Sequence, residues 1–181
     1  YSFLSTDMHS HLIPGIDDGA QTIEDSLTLI RELKSLGFRK LITTPHIMSD
    51  FYRNNPQNIG EGLEKLRIAL RDEQIEMEIQ AAAEYYIDDG FMTKMEDKEL
   101  LTFGDRHLLF EISFINCPEN LDDIIFRMQI LGYKPVMAHP ERYPFWYNQF
   151  ERYESLHDRG VLLQVNINSL AGYYGIDARK I

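Results

Sequence analysis

A chain of 181 residues, 44% hydrophobic and 26% charged, has the composition of a folded globular protein and not of a disordered or fibrous one, and it is long enough to bury a core without covalent staples. Residues 1–181 are therefore read as one domain. The formal net charge of −11 repels polyanions, which argues against nucleic acid as a partner and admits a phosphorylated substrate only where bound cations reverse the local sign.

The lone Cys117 excludes an internal disulfide and a thiolate zinc site. With no basic-then-apolar leader and no apolar run near the ~20 residues that span a bilayer, the expectation is a cytoplasmic protein without membrane insertion.

In chain order, short apolar strands alternate with amphipathic helices, the grammar of βα units on a parallel sheet. A strand over about Phe3 to Met8 leads into DMHSH and the loop IPGIDDG. TIEDSLTLIRELKSLG predicts a helix capped by Thr22, with Ile23, Leu27, Ile30, Leu33 and Leu36 on one face and Gly37 at its end. A strand over Lys40 to Thr44 precedes TTPH, and a helix over about Gln57 to Asp72 places Ile59, Leu63, Leu66 and Leu70 together. Strands follow at Met77 to Ala83 and Leu108 to Phe114. ENLDDIIFRMQILG is a helix with Leu121, Ile124, Ile125, Met128 and Leu131 inward and Gly132 at its stop. A strand over Pro135 to Ala138, a helix in NQFERYESLHDRG with Phe150, Tyr153 and Leu156 inward, and a strand over Val161 to Val165 come next. GIDARKI opens a further helix.

Two passages superimpose: SLGFRKLITTPH from Ser35 and ILGYKPVMAHPE from Ile130. Each runs Leu-Gly-aromatic-basic into a strand and a Pro-containing loop, as if one βα unit were reused. The ends of the predicted strands deliver His9 with His11, His46, Glu84, Glu111, His139, and Asn166 with Asn168. The C-terminal rim of parallel strands is where such folds converge distant side chains on one crevice.

Strand alternation sends His9 and His11 to one side, with Asp7 if the strand reaches that far back; an exposed strand face with alternating polar residues is the alternative for the pair alone, and the other ligand-bearing strand ends weigh against it. Asp17 and Asp18 sit in a glycine-rich turn that could swing a carboxylate over the histidines, and proximity to HSH favours a ligand role for Asp18 over an ordinary Asp-Gly turn. His46 and His139 occupy equivalent places in the two repeat copies. Glu84 and Glu111 are carboxylates in apolar strands, expensive unless paired or bound to a cation; for Glu111 the alternative is an ion pair with Arg142. Four histidines and at least three carboxylates exceed what one ion can use and imply about two or three ions held by nitrogen and oxygen, a set suited to manganese, iron or zinc. Such clustered cations lower the pKa of a bridging water and clamp an in-line displacement, chemistry suited to phosphate esters. Arg142 could add a fork-shaped donor to a phosphoryl group, or be a surface arginine paired with Glu141 or Glu151.

His107 and His157 are read as non-catalytic. Phe51, Tyr52, Tyr85, Tyr86, Phe145, Trp146, Tyr147, Tyr173 and Tyr174 fall in loops after strands, where loop packing accounts for most and an aromatic-substrate wall is the alternative.

From Asp7 to about Tyr174, the ordered set DMHSHLIPGIDDG, TTPH, AAAEYY, FEIS, MAHPERY and QVNINS resembles the bacterial PHP-domain (polymerase and histidinol phosphatase) tyrosine phosphatases of the CpsB/CapC type. The resemblance implies an α/β fold, a distorted seven-unit (β/α) TIM-like barrel. It also implies a three-metal centre, usually manganese-dependent, that dephosphorylates phosphotyrosine. The implied partner is a bacterial tyrosine autokinase with a tyrosine-rich tail, in capsular or exopolysaccharide synthesis. By matching motifs, His9, His11, Asp18, His46, Glu84, Glu111 and His139 become metal ligands, Asp18 and Arg142 catalytic residues with Arg142 holding phosphate, and Asp7 an orienting partner of a histidine. The family also carries a late Ser-Asp-x-His segment that nothing after QVNINS matches, so an Asp-x-His and the last barrel units are expected beyond Ile181. Other readings are a histidinol-phosphate phosphatase, an amidohydrolase, disfavoured because Glu84 and Glu111 stand where that group places a carboxylated lysine, and a metal-stabilised interaction module without activity. Oligomeric state is left open.

Overall fold

The computed structural model describes residues 4–96 and 100–180; Phe3, the expected start of the first strand, and Ile181 lie outside them. Eight strands alternate with helices: β1 (Thr6–Ser10), α1 (Ile23–Ser35), β2 (Lys40–Thr43), β3 (His46–Ile47), α2 (Pro56–Asp72), β4 (Glu78–Ala81), β5 (Glu84–Tyr86), α3 (Asp89–Glu96), β6 (His107–Glu111), α4 (Leu121–Ile130), β7 (Lys134–Ala138), α5 (Phe150–Asp158), β8 (Leu162–Gln164), α6 (Ile167–Leu170) and α7 (Ile176–Lys180). Two 3-10 turns, Pro140–Arg142 and Pro144–Trp146, follow β7. No helix among the described residues is long and apolar enough to cross a membrane.

The helices start where the sequence provides caps. Thr22 Oγ1 accepts the Asp25 N–H while the Asp25 carboxylate accepts the Thr22 N–H, a reciprocal cap that satisfies two otherwise orphaned donors. Asn55 and Asn58 repeat the device ahead of α2, with Pro56 in the first turn, where its missing N–H does no harm. The expected inward faces are buried, including Leu27 and Ile30 of α1, Ile59, Leu63, Leu66 and Leu70 of α2, and Ile124, Ile125 and Met128 of α4, each contributing about 1.5–3 kcal/mol by removal from water. Leu36 and Phe150 depart from that reading: they sit at helix ends and are half exposed.

All strand pairs are parallel, in two sheets of order β1-β2-β4 and β3-β5-β6-β7-β8. The expected strands Lys40–Thr44 and Met77–Ala83 are thus shorter than anticipated, each succeeded by a second short strand. The break falls at Pro45, which has no N–H to continue a ladder: Thr44 N–H donates to the Ser10 carbonyl, and beyond it β3 pairs with β5 instead. Strands β1 and β8 end the two sheets without pairing to each other, so parallel α/β architecture is present while barrel closure is not formed by strand pairing among the described residues. Leu108 and Phe110 of β6 join Leu41, Ile79 and Met137 in the main core. On the opposite face, Leu109, Val136 and Ala138 form a small cluster with Met8 and Phe103. By alternation, Glu111 shares the face of Leu109.

Candidate metal centre

The end of β1 is held rigidly. Thr43 Oγ1 donates to the Ser10 carbonyl and accepts the Leu12 N–H, both at 2.9 Å, tying the segment that carries His9 and His11 to β2. The following loop folds straight back: Ala20 N–H donates to the His11 carbonyl and Gly15 N–H to Ala20. A Cβ at Gly19 would overlap the His11 Cβ and carbonyl oxygen, so only glycine allows this approach. The fold-back brings Asp17 Oδ2 to 2.7 Å from His11 Nδ1 and lets the same atom accept the His46 N–H at 3.1 Å. Asp18, beside it, is 64% exposed at its side chain, with Oδ1 3.4 Å from His46 Nε2.

The break at Pro45 turns His46 inward at the start of β3, in register with Glu84 at the start of β5. Glu111 is the last residue of β6; it ends the strand instead of interrupting it. His139 follows β7 with φ 35° and ψ 52°, a left-handed conformation that for a non-glycine residue costs about 1–3 kcal/mol and persists only where surroundings enforce it. Tyr143 supplies part of that enforcement: its buried hydroxyl donates to the Ala138 carbonyl at 3.2 Å and accepts the Ile112 N–H at 3.1 Å, locking together the strand ends that bear His139 and Glu111.

Glu84 is the hub. It is fully buried, and its Oε2 lies 3.1 Å from His9 Nε2, 3.3 Å from His11 Nε2 and 3.2 Å from His46 Nδ1, while Oε1 lies 2.9 Å from His139 Nε2. His46 Nδ1 is also 2.9 Å from Glu111 Oε1, and His139 Nε2 is 3.8 Å from Glu111 Oε2. Four imidazoles and two carboxylates that are far apart in the chain therefore meet at one rim. Among the described residues, three donor groups could each hold an ion: His9, His11 and Glu84; His11, Asp18 and His46; His46, Glu84 and Glu111. His139 touches the hub but belongs to none of these three groups.

The hydrogen bonds behind the imidazoles decide what faces Glu84. His9 Nδ1 lies 2.6 Å from Gln164 Oε1 and His11 Nδ1 lies 2.7 Å from Asp17 Oδ2. Both partners are acceptors, so each Nδ1 carries a proton, and each Nε2 presents a lone pair once its own proton is displaced. Those two nitrogens stand 3.4 Å apart and aim at the same carboxylate oxygen. Lone pairs converging on a buried carboxylate call for a positive charge between them, and the nitrogen–oxygen donor set suits a divalent transition ion.

Electrostatics agree. Burial alone would depress the His11 pKa, but hydrogen bonds to Asp17 and Glu84 and their charges raise it to about 10. His46 is likewise raised, Glu111 and Glu84 outweighing burial. Burial pushes the Glu84 pKa up, yet the surrounding histidines hold it well below the ordinary carboxylate range. Protons thus sit where cations belong.

Some sequence-based expectations are corrected. Asp7 makes no hydrogen bond to either imidazole, and its Oδ2 is buried without a partner; Gln164 and Asp17 do the orienting. Neither was singled out for that role, and a strand-end glutamine carries no motif that would have marked it. Arg142 pairs with none of Glu111, Glu141 or Glu151. Its guanidinium lies over the Phe114 ring at 4.9 Å and the Tyr174 ring at 4.4 Å, and Phe114 stacks on His139 at 5.6 Å, which sets Arg142 at the edge of the site. Glu141 is buried, accepting the Ser169 hydroxyl and the Asn166 N–H. Asn166 precedes α6 and accepts from Gln164. Of the loop aromatics, Tyr52 stacks on His46 at 5.4 Å and Tyr174 covers Arg142, whereas Tyr85 and Trp146 are core residues. His157 is exposed, and His107 opens β6 against Phe103.

The chain is a parallel α/β protein that presents candidate metal-binding groups of histidines and carboxylates at its strand ends. The family model for capsular polysaccharide synthesis, CpsB/CapC, matches residues 5–181, and the chain belongs to that family. Tyrosine-protein phosphatase YwqE of Bacillus subtilis (strain 168) is 31% identical over 170 residues, 93% of this chain and 67% of that protein. Tyrosine-protein phosphatase CpsB of Streptococcus pneumoniae is 30% identical over 161 residues, 88% of this chain and 66% of that one. The putative tyrosine-protein phosphatase CapC of Staphylococcus aureus is 26% identical over 176 residues, 97% and 69% respectively. The chain thus spans about two thirds of the length of these relatives. A crystal structure from work on YwqE from Bacillus subtilis and CpsB from Streptococcus pneumoniae, described as unique metal-dependent tyrosine phosphatases, matches with a TM-score of 0.89 at 30% identity, covering 97% of this chain and 71% of that one.

Proposed function

We propose that this chain is the metal-binding part of a protein-tyrosine phosphatase that hydrolyses phosphotyrosine on a protein substrate in capsular or exopolysaccharide synthesis. The observation that carries the reading is the convergence of His9, His11, His46 and His139 on the buried Glu84 carboxylate. Membership of the CpsB/CapC family and the names of the relatives supply the substrate class. The proposed ligands are His9, His11, Asp18, His46, Glu84, Glu111 and His139, holding two or three divalent ions of which manganese is the first candidate. The parallel strand order supports reading the two sheets as parts of a distorted (β/α) barrel.

Bound ions would supply an activated water near neutral pH and screen the charge of the phosphate. The chain's own residues do the rest. Arg142, over the rings of Phe114 and Tyr174 and without an ion-pair partner among the described residues, presents its N–H fork to the phosphoryl oxygens as charge builds on them. Asp18, exposed at the mouth, completes the donor group with His11 and His46 on the side from which substrate arrives. Tyr52 and Phe114, stacked on His46 and His139, provide aromatic walls for an aryl ring. The natural substrate in this reading is the tyrosine-rich tail of a bacterial tyrosine autokinase, handled in the cytoplasm.

Turnover of a phosphotyrosyl peptide, a phosphoseryl peptide and histidinol phosphate, each with added manganese, tests the reading. Selective release of phosphate from the phosphotyrosyl peptide is expected. Preference for histidinol phosphate would transfer the site to small-molecule chemistry, and no turnover with no bound metal would leave a non-catalytic module.

A further inference from the structure

His9 on β1 and His11 just beyond its end face Glu84 with the same nitrogen, but they are oriented by different chemistry. His11 is backed by the Asp17 carboxylate from the adjoining loop. His9 is backed by a neutral amide that comes from the far edge of the other sheet, 155 residues along the chain. Glutamine at the end of β8 has no reason to face β1 from strand pairing, since β1 and β8 do not pair.

The direction of that amide is fixed. Gln164 Oε1 faces the His139 backbone N–H at 3.4 Å as well as His9 Nδ1 at 2.6 Å, and Gln164 Nε2 donates to Asn166 Oδ1 at 3.0 Å. A flipped amide would set its own NH2 against the His139 N–H, a donor that cannot be reversed. An oxygen at 2.6 Å requires the proton on His9 Nδ1. The opposite tautomer is the one this site must avoid: His9 Nε2 lies 3.1 Å from Glu84 Oε2, so a proton on Nε2 would hydrogen-bond to Glu84 and occupy both the nitrogen and the oxygen an ion needs.

We propose that Gln164 is a positioning residue of the metal centre: its side-chain oxygen, reaching from β8 to β1, holds His9 in the Nδ1–H tautomer and keeps the Nε2 lone pair open to an ion beside Glu84. This rests on the metal-centre reading above. It makes the two histidines of the HSH motif inequivalent, one supported by an anion within its own loop and one by a neutral group that also ties the two unpaired sheet edges together. Partners behind metal-bound imidazoles set ring orientation, and their loss weakens metal binding by about 10- to 100-fold.

The test uses zinc alone, as a diamagnetic probe, on protein carrying 15N-labelled histidine. In the wild-type protein the His9 resonances should show Nδ1 protonated and Nε2 bound to zinc. Gln164→Met, similar in length but without a strong acceptor, should weaken zinc binding by about 10- to 100-fold in a chelator competition, while Gln164→Glu, which keeps an acceptor, should stay within a few-fold of wild type. A tie acting only between sheet edges would lower the melting temperature of the metal-free protein without separating the two variants in zinc affinity, and that result overturns the proposal. So does zinc bound through His9 Nδ1 in the wild-type spectrum, a result that stands even if Gln164→Met does not fold. Zinc bound equally well by Gln164→Met overturns the role of Gln164 alone, whereas a wild-type protein that takes up no zinc overturns the metal centre itself.

Discussion

Asp17 and His11 are joined at 2.7 Å through Oδ2 and Nδ1, and the same carboxylate oxygen accepts the backbone N–H of His46. One side chain therefore aims one imidazole and anchors the backbone that carries another. Burial would raise the Asp17 pKa, but His11 and the N–H groups of Gly19 and His46 pull it below the ordinary value, so the group is a carboxylate at neutral pH. Asp17→Asn keeps the shape and removes the charge. Metal affinity measured by chelator competition should fall by about 10- to 100-fold; an unchanged affinity would show that His11 is aimed by something else.

Metal binding should be coupled to proton release. His11 is raised to about 10 and His46 is raised as well, each because neighbouring carboxylates outweigh burial. At about 10, the His11 imidazole keeps its proton through neutral pH in the metal-free site, so an entering ion has to displace it. Affinity should therefore rise with pH between 6 and 8, by about tenfold per pH unit for each proton displaced. Titrations of manganese into the metal-free protein at several pH values check the slope, and a flat profile would mean that the histidines already face the ion unprotonated.

Gly19 is the position where loop and strand meet without room for a side chain. Gly19→Ala must push the IPGIDDG turn away from His11, a steric insertion expected to cost about 1–3 kcal/mol in urea unfolding. Metal affinity should fall with it, because the displaced segment carries Asp17. A variant as stable as wild type would show that the turn can move without consequence.

Arg142 offers a separation of chemistry from metal binding. Its guanidinium contacts the rings of Phe114 and Tyr174 and no candidate ligand. Arg142→Ala should leave bound metal unchanged while kcat/KM for a phosphotyrosyl peptide falls by about 10²- to 10³-fold. Arg142→Lys should recover only part of the loss, since an ammonium lacks the planar fork. Loss of metal in either variant would place Arg142 among the groups that build the site.

Much of this arrangement could be read along the chain because the physics behind it is local. Helical spacing marked the buried faces of α1, α2 and α4, and a carboxylate in an apolar strand, Glu84 or Glu111, is too costly to be incidental. What could not be read depends on contacts across the fold. Gln164 meets His9 only because β8 and β1 stand at opposite sheet edges facing one another, and nothing in LLQVN announces it. Asp17 and Asp18 looked alike in IPGIDDG, yet the fold-back at Gly19 buries the first behind His11 and leaves the second exposed. Arg142 was matched by spacing to Glu141 or Glu151, but Glu141 is committed to Ser169 and Asn166, and aromatic stacking holds Arg142 instead. Strand lengths were overestimated at Thr44 because Pro45 ends one ladder and begins another.

The shared use of Glu84 by several imidazoles carries the most weight in all of this. Equilibrium dialysis of manganese against the wild-type protein and Glu84→Gln, followed by elemental analysis, should give about two or three ions per wild-type chain and at least one fewer in the variant. Equal metal content in the two proteins would mean that Glu84 is a buried hydrogen-bond partner of the histidines and not the centre of a metal site.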